Sequence, residues 1–232
     1  MALIKFGGGV TQASGSIGGT TFARNRYGNY MRARTKPVNP NTQKQADIRA
    51  CISQLSNVWS SALSVVERGA WNTYAAAIAM KNRLGESMYL TGFNHFIRSN
   101  TEWLNQGHVV TEAGPTTLLL PAKDTTIAFS GTADDQKISV TFDATRGWAA
   151  SSAGVMYIYQ GQPRNVTRNF FAGPWKYTGK IEGASTPPTS PTLLTAAFTL
   201  TLDQLVTCYA RIRETDGRLS EPMVGTFTVA AT

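Results

Sequence analysis

At 232 residues the chain has room for one large domain or two small ones, and with 42% apolar and 16% charged residues it can bury a sizeable core. No stretch approaches the roughly 20 apolar residues that span a bilayer. Residues 1–10 lack the apolar run of a secretory signal, so neither membrane insertion nor export is expected and the reading is a protein made in the cytoplasm. The formal net charge of +8 is unevenly placed. Residues 1–50 hold eight Lys and Arg against one acid, residues 51–110 four against three, and residues 111–232 ten against ten. Almost all of the excess belongs to the first fifth of the chain, which makes a basic segment on a neutral body.

In chain order, residues 1–42 are rich in Gly, Thr, Asn and Arg and lack sustained periodicity, so they read as an extended basic arm. Alternation between Thr20 and Arg34 allows a short hairpin with its turn at Tyr27-Gly28-Asn29. Pro37 and Pro40 break regular structure before the first helix, which Asn41 or Thr42 would cap. Ile48, Cys51, Ile52, Leu55, Val58, Trp59 and Ala62 then recur at three- and four-residue steps. Ser64-Val65-Val66-Glu67 is a capping box that opens a second helix, with Ala70, Trp71, Tyr74, Ala75 and Ile78 on one side and Asn82–Gly85 as its terminating loop. A third helix runs from Thr91, with Phe93, Phe96, Ile97, Asn100, Trp103 and Leu104 as its stripe. Residues 43–110 are thus a small three-helix region.

Residues 111–125, with Pro115 and Pro121, read as an extended linker. Beyond it the period changes to two, and residues 126–232 offer seven candidate strands: Ile127–Ser130, Lys137–Phe142, Val155–Gln160, Phe170–Thr178, Leu193–Leu202, Val206–Glu214 and Thr226–Ala230. Short strands at this spacing predict an antiparallel β-sandwich. In the sixth, Val206, Cys208, Ala210 and Ile212 should face inward, with Tyr209, Arg211 and Arg213 outward. The fold class is therefore α+β and multidomain.

Chemistry is conspicuous by its absence. His95 and His108 have no metal-ligand spacing to Cys, Asp or Glu. Cys51 and Cys208 fall in different regions and read as buried thiols. Gly7-Gly8-Gly9 and the run from Gly15 to Gly19 lack the Lys-Ser/Thr of a phosphate loop. Asp134-Asp135 sits on a turn, where adjacent carboxylates point apart. Asn165-Val166-Thr167 is a glycosylation sequon only in a secreted protein. No catalytic residue, metal, cofactor or small-molecule substrate is expected. Trp148 and Trp175 are read first as packing residues and second as an exposed surface.

The candidate contact residues are Phe22, Arg24, Arg26, Tyr27, Tyr30, Arg32, Arg34 and Lys36. Guanidinium groups interleaved with rings suit an arm laid across a neighbouring subunit, where Arg meets carboxylates and rings fill pockets. The same composition suits nucleic acid, through phosphate contacts and base stacking. A loose solvated tail is the plainest alternative, and the frequency of aromatic residues argues against it.

Two stretches resemble known families. Tyr209–Arg213 followed by Asp216-Gly217-Arg218-Leu219-Ser220-Glu221-Pro222 resembles the last two strands of fibronectin type III domains, which implies an immunoglobulin-like sandwich used for adhesion or scaffolding. Gly18–Phe22, Arg32–Thr42, Arg68 to Tyr74 and Thr91–Phe96 are similar to uncharacterised proteins of bacteriophage and prophage genomes. That resemblance implies a virion protein of head, neck or tail, made in the bacterial cytoplasm, binding other virion proteins and copies of itself. A host- or carbohydrate-binding adhesin working through the sandwich is the remaining alternative.

Overall fold

A computed structural model describes residues 2–82, 84–168 and 170–231. The chain is α+β, with three α-helices and several antiparallel sheets among the described residues. Its first part departs from an extended arm. Strands β1 (Ala2–Ile4), β2 (Gly15–Ile17), β3 (Thr20–Asn25) and β4 (Gly28–Ala33) form a four-stranded antiparallel sheet in the order β1-β4-β3-β2. The hairpin closes on the Asn25–Gly28 pair, so Arg26 and Tyr27 are its turn residues, slightly earlier than the sequence suggests. Gly28 there has a φ of 122°, which glycine alone adopts without strain. The alternation of β3 and β4 was visible in the sequence. The flanking strands, three residues each, are too short to show a period. No described residue before Gln43 is buried, and residues 34–42 are exposed without regular structure.

Helix α1 (Gln43–Asn57) follows Thr42 and continues through one π-helical turn, Val58–Ala62. Its apolar stripe is only partly used, because Leu55 is buried while Ile52 remains 40% exposed. Helix α2 (Val65–Ala77) has the expected capping box, with Ser64 and Glu67 each accepting from the other's backbone amide. Short strands β5 (Ala79–Lys81) and β6 (Ser87–Tyr89) pair on either side of the expected loop at 82–85; Arg83 of that loop lies outside the described residues. Thr91 caps α3 (Gly92–Asn105) through the Asn94 amide at 3.2 Å. Helix α3 packs against both other helices. Leu55, Leu63, Trp71, Tyr74, Ile78 and Phe96 form their core.

Seven strands follow: β7 (Ala128–Gly131), β8 (Lys137–Thr141), β9 (Val155–Gly161), β10 (Trp175–Glu182), β11 (Thr192–Thr195), β12 (Leu205–Arg213) and β13 (Met223–Thr228). They form a three-stranded sheet, β11-β8-β7, and a four-stranded sheet, β10-β9-β12-β13. Phe129, Ile138 and Val140 of the first sheet share one core with Met156, Ile158, Val206, Cys208, Ala210 and Ile212 of the second. The inward alternation of β12 is as read. Buried Gln160 ties the second sheet to the loop after β11, accepting from the Ala197 and Phe198 amides at 2.7 and 3.0 Å and donating to the Phe198 carbonyl at 3.1 Å. Trp148 is fully buried beside Phe142, so it belongs to the core and to no surface.

The outer face of the four-stranded sheet is where the helices attach. Trp103 of α3 packs with Val155, Tyr157 and Leu219. Arg213, which points outward from β12, is 0% exposed because α3 covers it. Its Nε donates to the Ser99 carbonyl at 3.3 Å, Nη1 to the Ala153 carbonyl at 3.1 Å and Nη2 to Thr111 Oγ1 at 2.6 Å. The guanidinium also lies 4.1 Å from the centre of the Trp103 ring. From the helix side, Arg98 donates to the carbonyls of Leu219 and Ser220, both at 2.7 Å.

The stretch expected as a linker is strapped along this junction. Trp71 Nε1 donates to the Glu112 carbonyl, Asn100 exchanges two bonds with Thr111, and Arg218 reaches the Leu119 carbonyl. Replacing Arg213 by Ala removes three buried donors and leaves a void. It should lower unfolding free energy by about 3 kcal/mol. Urea denaturation measures this, and a loss below about 1 kcal/mol would contradict the assignment.

Candidate interaction surface

Strand pairing sorts the basic sheet into two faces. Phe22 pairs with Met31 and Arg24 with Asn29, and β1 and β2 place Ala2, Ile4 and Ile17 on the same side. The opposite side carries Leu3, Thr21, Ala23, Tyr30 and Arg32. The first face carries an apolar cluster that is only partly covered, with Ile17 79% and Met31 39% exposed and Ile4 and Phe22 half-buried. Phe22, Tyr27 and Tyr30 are half-buried; Arg24, Arg26, Arg32, Arg34 and Lys36 are exposed. Among the described residues none of these five cations enters an ion pair. The Arg34 amide extends the sheet by donating to the Gly19 carbonyl at 2.8 Å.

The structure separates Tyr27 from the other candidates. Its hydroxyl accepts from Asn94 Nδ2 at 3.0 Å, which pins the hairpin turn to the start of α3. Lys5 pairs with Glu86 nearby, and hydrogen bonds from Lys5 and Asn82 hold that carboxyl below its usual range. A cavity of about 340 Å³, lined by Leu3, Lys5, Tyr27, Asn82 and Glu86 among others, separates sheet from hairpin. The sheet therefore touches the body at few points and leaves its arginines outward.

A second surface lies on the four-stranded sheet beyond α3. Phe171, Trp175, Tyr209, Tyr159 and Tyr177 form a continuous aromatic strip with successive ring centroids 4.8, 4.8, 4.6 and 5.6 Å apart. Phe171 lies directly on Gly161, where a side chain would meet the ring. Arg164 stacks on Phe171 at 5.0 Å. Burial pushes the Tyr177 hydroxyl up to about 12, with the carboxylates of Glu102 and Glu182 adding to the shift. Of this strip Trp175 and the outward-facing Tyr209 were singled out in the sequence. Phe171, Tyr159 and Tyr177 come from a loop and two further strands, which no local spacing connects.

The remaining titratable groups are structural in placement. His108 stacks on Trp103 at 3.7 Å, with Lys180 and Glu182 beside it. Cys208 is buried, which raises its thiol to about 12, whereas Cys51 is half-buried rather than enclosed. Asp134 and Asp135 lie on the turn before β8. Among the described residues no three His, Cys, Asp or Glu side chains gather as a metal site, and no helix is long and apolar enough to cross a membrane. No protein-family model matches the chain, and no curated protein matches it.

His95 is the exception in its surroundings. It is 0% exposed beside Tyr74, and both ring nitrogens, the Tyr74 hydroxyl and Ser99 Oγ have no hydrogen-bond partner among the described residues. Burial, with Arg98 adding, pulls the imidazole from 6.5 down to about 4. The neutral ring is therefore the folded form, while the unfolded chain takes up a proton below about pH 6.5. Stability should fall as pH drops from there toward about 4, at up to about 1.4 kcal/mol per pH unit. His95→Phe should flatten that slope in urea titrations, and an unchanged slope would refute the assignment.

Proposed function

We propose that this protein is a non-enzymatic structural component of a bacteriophage virion that binds neighbouring subunits through its basic N-terminal sheet. The observation that carries this reading is, among the described residues, a sheet of short strands with no buried residue, a partly uncovered apolar cluster and five cations without ion pairs. Such a sheet gains stability only when a partner covers it. The residues that would meet the partner are Phe22, Arg24, Arg26, Tyr30, Arg32, Arg34 and Lys36, with Tyr27 acting as the anchor to α3.

We read the two-sheet body as a fibronectin type III or immunoglobulin-like sandwich, supported by seven antiparallel strands divided three and four over one core. It would serve as the rigid carrier of the sheet. Nucleic acid is the second reading, favoured by the same unpaired guanidinium groups beside Tyr30.

Removing residues 1–36 takes nothing from any of the three hydrophobic clusters. The truncated protein should keep its cooperative unfolding and lose self-association in sedimentation velocity. Assembly equal to that of the full chain would sink the reading.

A further inference from the structure

We infer that the groove between α1, α3 and β10 is the receptor for the basic stretch Arg32–Lys36 of a second copy of this chain. This rests on the assembly reading and names the surface that the sheet would meet. The groove, a cavity of about 240 Å³, is lined by Lys44, Asp47, Ile48, Glu102, Asn105 and Tyr177. Two carboxylates face it against one ammonium, and neither Asp47 nor Glu102 enters an ion pair among the described residues. Asp47 accepts one bond, from Gln43 Nε2 at 2.7 Å, which leaves its other oxygen for an incoming donor. Ile48 and Tyr177 add apolar and aromatic wall.

This lining suits a guanidinium group: carboxylates accept its forked donors, and a tyrosine ring offers a π-face. The chain itself supplies the complement. Arg32, Arg34 and Lys36 are exposed, unpaired and follow one another on alternate positions. In their own copy they line no part of the groove, and β4 is fixed by its pairing with β3 and by the bond from the Arg34 amide to Gly19. A neighbour's stretch is free to enter. The unused apolar side of α1, including Ile52 beside the groove's Ile48, would be covered by the same contact.

Arm and groove are different surfaces of one chain, so the contact is head-to-tail. Such contacts close in a two-fold dimer where each arm enters the other's groove, and otherwise propagate into a ring or a filament.

Charge exchange in the full chain tests this. Asp47→Lys and Arg34→Glu change exposed residues, and circular dichroism should show both folded. Each alone should weaken assembly by about tenfold in light scattering, the scale of a close charge pair of about 1.4 kcal/mol. An equimolar mixture should assemble again, because each variant offers the surface the other lacks. Asp47→Lys that assembles like the parent, or a mixture that fails to recover, overturns the groove assignment. Replacing Arg24, Arg26, Arg32, Arg34 and Lys36 together by Gln separates the two levels. If that variant loses assembly while Asp47→Lys keeps it, the sheet is the assembly device and its receptor lies elsewhere. If it assembles normally, the sheet reading and the groove both fail.

Discussion

The structure turns on two guanidinium groups held without carboxylates. Arg213 on β12 and Arg98 on α3 cross the same interface from opposite sides, and both are bound mainly by backbone carbonyls. Burial pulls each down to about 10, so both remain protonated at neutral pH. A buried cation of this kind is tolerable only while every donor is satisfied, which fixes α3 in register against the sheet. Helix α3 is also the element against which α1 and α2 pack. Helices and two-sheet body are thereby joined by hydrogen bonds, and residues 109–124 are held against them by side chains from both.

That junction contrasts with the attachment of the N-terminal sheet. The body has its own core, whereas among the described residues the side-chain attachments of the sheet to it are one tyrosine hydroxyl and one exposed ion pair. An exposed ion pair is worth at most about 1 kcal/mol, so the attachment is weak beside the apolar surface the sheet leaves open. On the proposed reading, such a segment is completed by a partner from outside. Its charge is equally uncompensated, which gives a neighbouring carboxylate or phosphate a reason to bind. The aromatic strip on the opposite end of the four-stranded sheet is better packed, its rings resting on one another and on Gly161, and so asks less of a partner.

Several elements were legible in the sequence for identifiable reasons. Ser64 and Glu67 announced α2 because a capping box is local, and Val206–Ile212 announced an inward strand face because alternation is local too. Less was legible where burial was decided by a distant element. Arg213 looks like an ordinary outward-facing surface cation until α3 is laid over the sheet, and the burial of His95 shows only once α3 meets Tyr74 of α2. β1 and β2 leave no trace at three residues each, and so the basic segment read as an arm instead of a sheet. Of the candidate contact residues, Tyr27 has a partner within its own chain that no local pattern shows, since Asn94 lies far along the sequence.

The most direct test of the assembly claim is the solution mass of nuclease-treated, full-length protein by light scattering at low and high salt, with the absorbance ratio recorded. A multimer free of nucleic acid that persists at moderate salt is the predicted result, because buried apolar and aromatic groups are not screened. A monomer that carries nucleic acid at low salt and sheds it at high salt would contradict the account and make the basic sheet a nucleic-acid contact.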